Sequence, residues 1–247
     1  MQETEAIIER VWQLSPHLQR LELTVEPSLA QLGPGQLILA LPQTRHDPYL
    51  REQWIPVEAQ AGVLVVERPT QNVYTPGQVV SLIGPIGAEL PWLGGGNKRL
   101  LLIAQDTPPT PLLMLAEKAA RQTSEVTLIL LGSAADYPFA GIPAAVEVIS
   151  SQEDFQWPNR DSILTWADQI FVLTDETFWH DHLGSFFHIV KRVRGHLPVN
   201  VVYGVFSNFP LPCGTGACGA CLVRCKTAVK AVCTQGPAFD LTEVHLT

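Results

Sequence analysis

The sequence predicts an antiparallel β-barrel, then an α/β domain, then a short cysteine-bearing loop. Three observations carry this. Short apolar runs punctuated by Pro and Gly fill the first hundred residues, apolar runs alternate with a helical pattern from residue 98, and all five cysteines fall between residues 213 and 233.

The barrel strands are read at RLELTV (20–25), GQLILAL (35–41), VLVVERP (63–69) and GQVVSLIG (77–84), each bounded by turn residues. Regular short strands of this kind close into small barrels. KRLLLIA (98–104) is a continuous apolar run, as a parallel strand buried on both faces requires. PLLMLAEKAARQ (111–122) follows with apolar residues at helical spacing, and EVTLILLG (125–132), AVEVIS (145–150) and QIFVLTD (169–175) read as further buried strands. ETFWHDHLGSFFHIVKRVRG (176–195) reads as a helix stopped by Gly195, and PVNVVYGVF (198–206) as a last strand. This alternation defines a doubly wound α/β domain. The expected divisions are residues 1–96 for the barrel, 97–207 for the α/β domain and 208–247 for the cysteine loop.

A formal charge of −8 argues against nucleic acid as a partner, because a phosphate backbone selects a basic face. Hydrophobic content of 46% with 16% charged residues marks a folded globular chain. No apolar run approaches the roughly 20 residues that span a bilayer. The opening MQETEAIIERVWQ lacks a basic segment ahead of an apolar one, so the expected location is cytoplasmic, with no membrane contact.

The cysteines are spaced Cys213-x4-Cys218-x2-Cys221, with Cys225 and Cys233 beyond. C-x4-C-x2-C plus a distant fourth cysteine is the plant-type pattern for a [2Fe–2S] cluster. Such a cluster with four thiolates carries about −2 in its oxidised form, and backbone N–H groups offset that charge only where the chain can wrap closely. Gly214, Thr215, Gly216, Ala217, Gly219 and Ala220 are small enough to allow it. Structural zinc also uses C-x2-C, but in two separated knuckles, and one short knuckle is present. Two candidates remain for the fourth ligand. Cys225 partly reproduces a bacterial ferredoxin run but is followed by Lys226 where proline is expected, whereas Cys233 ends TAVKAV, the returning strand of a hairpin. The second is preferred, which leaves Cys225 as a packing residue.

Barrel, α/β domain and C-terminal cysteine loop, with the motifs GPGQL (33–37), GQVVSLIGPIG (77–87), PCGTGACGACLVRC (212–225) and VCTQGPAF (232–239), resemble the electron-transfer subunits of the NAD-linked dihydroorotate dehydrogenases, in the ferredoxin-reductase superfamily. The resemblance implies a [2Fe–2S] cluster on Cys213, Cys218, Cys221 and Cys233, an FAD, and a catalytic flavoprotein partner. It also implies an arginine contact to FAD, which falls on Arg51 in PYLREQWIPV (48–57), although Gln53 and Trp54 replace the rest of that motif.

Two further departures concern NAD. A dinucleotide site needs glycines after the first α/β strand, where N–H groups meet the phosphates. The sequence has AQDTPPTPLL (104–113) there, in which Pro108, Pro109 and Pro111 have no N–H and Asp106 repels an anion. The Gly94–Gly96 run precedes that strand and reads as a connection. A Cys-Gly-Pro turn expected near the nicotinamide is replaced by VLTDETFW (172–179), and His180 and His182 are spaced wrongly for a metal pair on a helix. Direct NAD binding is therefore not expected. The chain reads as an electron-transfer subunit, or alternatively as an iron–sulfur scaffold or redox sensor without FAD and NAD.

Overall fold

The computed structural model describes residues 2–42, 50–94, 97–175, 179–199 and 201–246. Parts of four sequence expectations lie outside these residues: the start of PYLREQWIPV, Gly95 and Gly96 of the glycine run, the start of the 176–195 helix, and Asn200 within the last strand.

Seven antiparallel strands form the first sheet: β1 (Gln2–Ser15), β2 (Leu18–Thr24), β3 (Leu37–Leu41), β4 (Glu52–Trp54), β5 (Pro56–Gln60), β6 (Val63–Pro69) and β7 (Val79–Ile86). Their order is β4-β3-β7-β1-β2-β6-β5. β4 and β5 end the order yet are separated by one residue in the chain, so the sheet curls until its edges meet. Arg68 on β6 fastens that seam by donating 2.9 Å to the Gln53 carbonyl on β4. Inside lie Ile8, Leu21, Leu23, Ile38, Leu64, Val66, Leu82 and the fully buried Trp54. β1 has no counterpart among the predicted strands because polar residues alternate along it; Ala6 and Ile8 face the core while Ile7 faces out.

The second sheet has the order β10-β9-β8-β11-β12-β15. β8 (Arg99–Gln105), β9 (Glu125–Leu131), β10 (Glu147–Ser151), β11 (Gln169–Thr174) and β12 (Val202–Val205) are parallel, and β15 (Ala238–Asp240) runs antiparallel to β12. Both faces are covered, which explains the uninterrupted apolar strands. Helix α1 (Thr110–Arg121) packs Leu112, Leu115 and Ala116 over Leu100, Leu102, Leu128 and Leu130. Helices α2 (Arg160–Trp166) and α3 (Trp179–Arg194) pack Leu164, Leu183, Phe186 and Val190 over Leu101, Ile103, Ile129 and Val172. Gly195 ends α3 at φ +54°, a left-handed stop that glycine permits without strain.

β15 lies within the segment expected to form the cysteine loop, 208–247, yet it completes the α/β sheet. The rest of that segment is a free hairpin, β13 (Leu222–Arg224) with β14 (Val229–Ala231), and the single turn α4 (Val232–Gln235). Val223, Val232, Cys221 and Cys233 belong to the same apolar cluster as the α3 face of the sheet. The loop is thus clamped to the body and does not hang from it.

Candidate iron–sulfur centre and the adjoining crevice

The loop from Cys213 to Cys221 rests on the barrel. Gly214 sits at φ +64°, and a Cβ there would lie 2.8 Å from Ile86 Cδ1 and 3.1 Å from Leu39 Cδ1. A side chain is therefore excluded both by backbone conformation and by contact with β3 and β7. Gly216, at φ +79°, turns its N–H onto Cys233 Sγ at 3.1 Å. The Thr215 N–H points at Cys213 Sγ at 3.5 Å. On the other side, Cys233 is held in α4 while its carbonyl accepts the Gly87 N–H at 3.0 Å.

The cysteines approach one another as two pairs. Cys213 is pulled down to about 5 by the Thr215 N–H and by the backbone and thiol of Cys218. Cys233 is pushed up to about 11 by burial and by the Cys221 thiol, with Cys213 adding a further repulsive charge. Cys213 thus neighbours Cys218 and Cys233 neighbours Cys221, and a cationic metal core would offset the charge of four thiolates. Among the described residues no three ligating side chains converge on a single-ion position. Two cysteine pairs bridged by close contacts are instead what a binuclear centre uses, one pair for each iron. Amide donors to sulfur, a small-residue cradle and paired thiols together fit a [2Fe–2S] group. Cys218 is exposed, Cys213 half-buried, and Cys221 and Cys233 buried, so such a group would have one edge near the surface.

Cys225 stands apart. It follows β13 directly, bridges to Val244, and donates its N–H to the Ala228 carbonyl at 2.9 Å. Burial raises its thiol, followed by opposing effects from Lys230 and Glu243, with no other cysteine among the causes.

A second feature opens beside the loop. In the α/β sheet β9 leaves on one side of β8 and β11 on the other, so the carboxyl ends of β8 and β11 mark a topological switch point, where such sheets bind ligands. A crevice of about 510 Å³ lies there. Gln53 and Arg68 face it from the barrel; Asp106, Thr107, Asp175 and Ser207 face it from the α/β domain. Gln53 bridges the two parts by donating 2.8 Å to the Phe209 carbonyl. Ser207 is 3% exposed, and its hydroxyl has no hydrogen-bond partner.

This lining accommodates a flat polar heterocycle better than a diphosphate. Among the described residues its one cation, Arg68, is already bonded to Glu52 at 2.6 Å and to the Gln53 carbonyl. Asp106 and Asp175 contribute negative charge. The α1 N-terminus begins Pro109-Thr110-Pro111, and the Thr110 hydroxyl donates 2.6 Å to Glu67 Oε2, a carboxylate of the barrel. Arg51, which the resemblance implied against FAD, does not line the crevice; it donates to the Ser81 carbonyl at 2.9 Å and pairs with Glu3 at 2.5 Å. Trp54, which replaces part of that FAD motif, belongs to the barrel core against Tyr74. His180 and His182 face different partners, Trp179 and Phe155 respectively.

Sequence reasoning missed the Glu67 network. Arg20 Nε and Nη2 donate 2.9 and 2.8 Å to Oε1, Tyr137 donates 2.5 Å to the same oxygen, and Thr110 holds Oε2. The available signal was one acid at the end of an otherwise apolar run, VLVVE.

A barrel curled beside a doubly wound sheet, with paired cysteines packed against both, defines a ferredoxin-reductase-like protein with a C-terminal iron–sulfur region. Solved structures agree on the fold. The NADH-dependent reduced ferredoxin-NADP oxidoreductase of flavin-based electron bifurcation superposes with a TM-score of 0.71 at 16% identity, covering 97% of this chain and 89% of that one. Phthalate dioxygenase reductase gives 0.59 at 13% identity, covering 91% and 87%. More particularly, residues 211–245 match the family model of the iron-sulfur cluster binding domain of dihydroorotate dehydrogenase B. The whole chain resembles the electron transfer subunit of dihydroorotate dehydrogenase B (NAD(+)) from Geobacillus thermodenitrificans, being 26% identical over 242 residues that cover 91% of this chain and 92% of the relative.

Proposed function

We propose that this chain is an electron-transfer subunit of the dihydroorotate dehydrogenase B type. Cys213, Cys218, Cys221 and Cys233 would hold its [2Fe–2S] cluster, and a catalytic flavoprotein subunit would be its partner. The carrying observation is the approach of four sulfurs in two pairs under the Thr215 and Gly216 amides, with Cys225 left out. When bound, the cluster supplies one-electron exchange. The chain supplies everything around it. Thr215 and Gly216 bring N–H groups to sulfur, which favours the reduced, more negative state, and Val223, Val232 and Phe239 exclude water from the inner side.

No helix among the described residues is long and apolar enough to cross a membrane, and a cytoplasmic location is part of the proposal. NAD has no place on this reading: the phosphate position at α1 carries prolines, and its threonine is bound to Glu67.

A flavin-free form of the same subunit is favoured by the engagement of Arg51, Arg68 and Gln53 with protein groups. An FAD diphosphate reaching Arg51 would have to displace Glu3. Anaerobic purification, followed by an absorption spectrum with iron, sulfide and released flavin measured on one sample, decides both questions. About two irons and two sulfides per chain are expected. FAD in equal amount would establish a two-cofactor relay, its absence the flavin-free form, and zinc in place of iron would refute the function.

A further inference from the structure

Charge is strongly segregated along this chain. From His182 to Phe239 there is no Asp or Glu, while Lys191, Arg192, Arg194, Arg224, Lys226 and Lys230 fall there, in a protein of formal charge −8. Arg224, Lys226 and Lys230 lie on the hairpin β13–β14, next to the cysteine loop.

Among the described residues that hairpin is a two-stranded sheet whose β13 edge is bonded only to the C-terminal segment, through the Cys225–Val244 bridge and the His245 N–H on the Arg224 carbonyl at 3.0 Å. Its register pairs Leu222 with Ala231, Val223 with Lys230 and Arg224 with Val229. Cross-strand partners share a face. Val223 is buried, so its partner Lys230 lies on the inner face while Leu222, Arg224 and Val229 form the outer one, with Lys226 exposed in the turn; Leu222 is 47% and Val229 57% exposed. This apolar centre continues into the exposed loop: a Cβ on Gly219 would stand 3.8 Å from Leu222 Cδ1, and Cys218 is exposed one residue earlier. The acid facing the hairpin is Glu243 of the C-terminal segment, whose carbonyl accepts the Lys226 N–H at 2.8 Å.

A redox contact needs a dry apolar centre close to the exchanging group and charges that orient the encounter. The net negative charge of the molecule repels an acidic partner, and the exposed Arg224 and Lys226 offset that repulsion beside the cysteine loop. We propose that the outer face of β13–β14 is the docking surface for a redox protein whose electron-exchanging edge is ringed by Asp and Glu. The inference rests on the proposed function and specifies the chemistry of the partner.

The test uses the holoprotein, its iron and sulfide content measured first, reduced with dithionite and mixed in a stopped-flow instrument with two one-electron probes: an acidic rubredoxin and a basic cytochrome c. One electron passes to the ferric iron of each probe. The rubredoxin rate should fall about tenfold or more as salt rises from about 20 to 500 mM, and should fall comparably in R224E/K226E at low salt, while the cytochrome c rate rises. The milder R224Q/K226Q should show both changes in reduced size, which covers a charge-reversed chain that fails to fold. Rubredoxin rates indifferent to salt and to both variants would overturn the proposal. So would a shift of both probes in the same direction, the signature of cations that tune the cluster and do not dock a partner. A preparation without iron and sulfide would overturn the proposed function itself, whereas failure of docking alone appears with the cluster intact.

Discussion

The Tyr137 phenol donates a 2.5 Å hydrogen bond to Oε1 of Glu67 and so ties the α/β domain to the barrel through a carboxylate whose side chain is 1% exposed. Arg20 neutralises that carboxylate and also reaches the Gly141 carbonyl at 2.6 Å, so four groups from β2, β6, α1 and the loop after β9 meet at one point. Burial raises the Tyr137 pKa and the Glu67 charge raises it further, which keeps the phenol a donor at neutral pH.

Every member of that network is satisfied, and removing one strands the others. Y137F should cost about 1.5–3 kcal/mol of stability, the loss of one hydrogen bond to a charged group, since Arg20 still donates to Oε1. E67Q should cost more, about 3–5 kcal/mol, because it leaves Arg20 without its counter-charge. Urea unfolding of both variants and of the double variant checks this. Strict additivity would show that the two residues do not act together.

Exchange of single cysteines for serine separates ligands from packing residues. C213S, C218S, C221S and C233S should lose the visible [2Fe–2S] absorption or retain a small, labile fraction of it. C225S should keep full iron and sulfide, because Cys225 bridges to Val244 away from the pairs, and should lose at most about 1 kcal/mol of stability. A C225S protein without iron would exchange the roles of Cys225 and Cys233.

Gly214 tests how the cradle is built. Alanine there is strained at φ +64° and meets Ile86 Cδ1 at 2.8 Å, so G214A should lift the loop from β3 and β7. The expected cost is about 1–3 kcal/mol, with slower cluster assembly and faster loss of iron to a chelator. Alanine at Gly77, also at positive φ (+84°) but with nothing within 4 Å of the added Cβ, should cost stability without touching iron retention.

The parallel strands were legible because burial on both faces forces uninterrupted apolar runs, and β8, β9 and β11 begin within a residue of where KRLLLIA, EVTLILLG and QIFVLTD place them. The cysteine spacing was legible because ligand geometry constrains local sequence. β1 was hidden by its exposed face, on which Glu3, Glu5 and Arg10 interrupt the apolar signal. β15 was hidden because three residues after Gly236-Pro237 carry too little pattern, and only tertiary contact with β12 makes them a strand. The crevice and the Glu67 network are assembled from residues far apart in the chain, so no local window contains them.

Asp168 gives a pH test with a defined sign. Its carboxylate accepts the Arg99 side chain at 2.7 and 3.2 Å and the Arg99 N–H at 3.0 Å, stitching the start of β8 to the segment entering β11. The Arg99 hydrogen bonds hold the Asp168 pKa below its ordinary 3.8. A carboxylate depressed by folding contributes its full stability above the ordinary value and loses it as pH falls through the lowered one. The pair is partly exposed, so D168N should cost only about 0.5–1 kcal/mol at pH 7. Wild type and D168N unfolded with urea in the same buffers should begin to converge in stability as pH falls below about 3.8 and meet only below the lowered value, since any loss common to both chains cancels in the difference. A gap that stays constant from pH 7 to 3 would mean that Asp168 acts through its shape alone, and a gap that widens in acid would reverse the assigned direction.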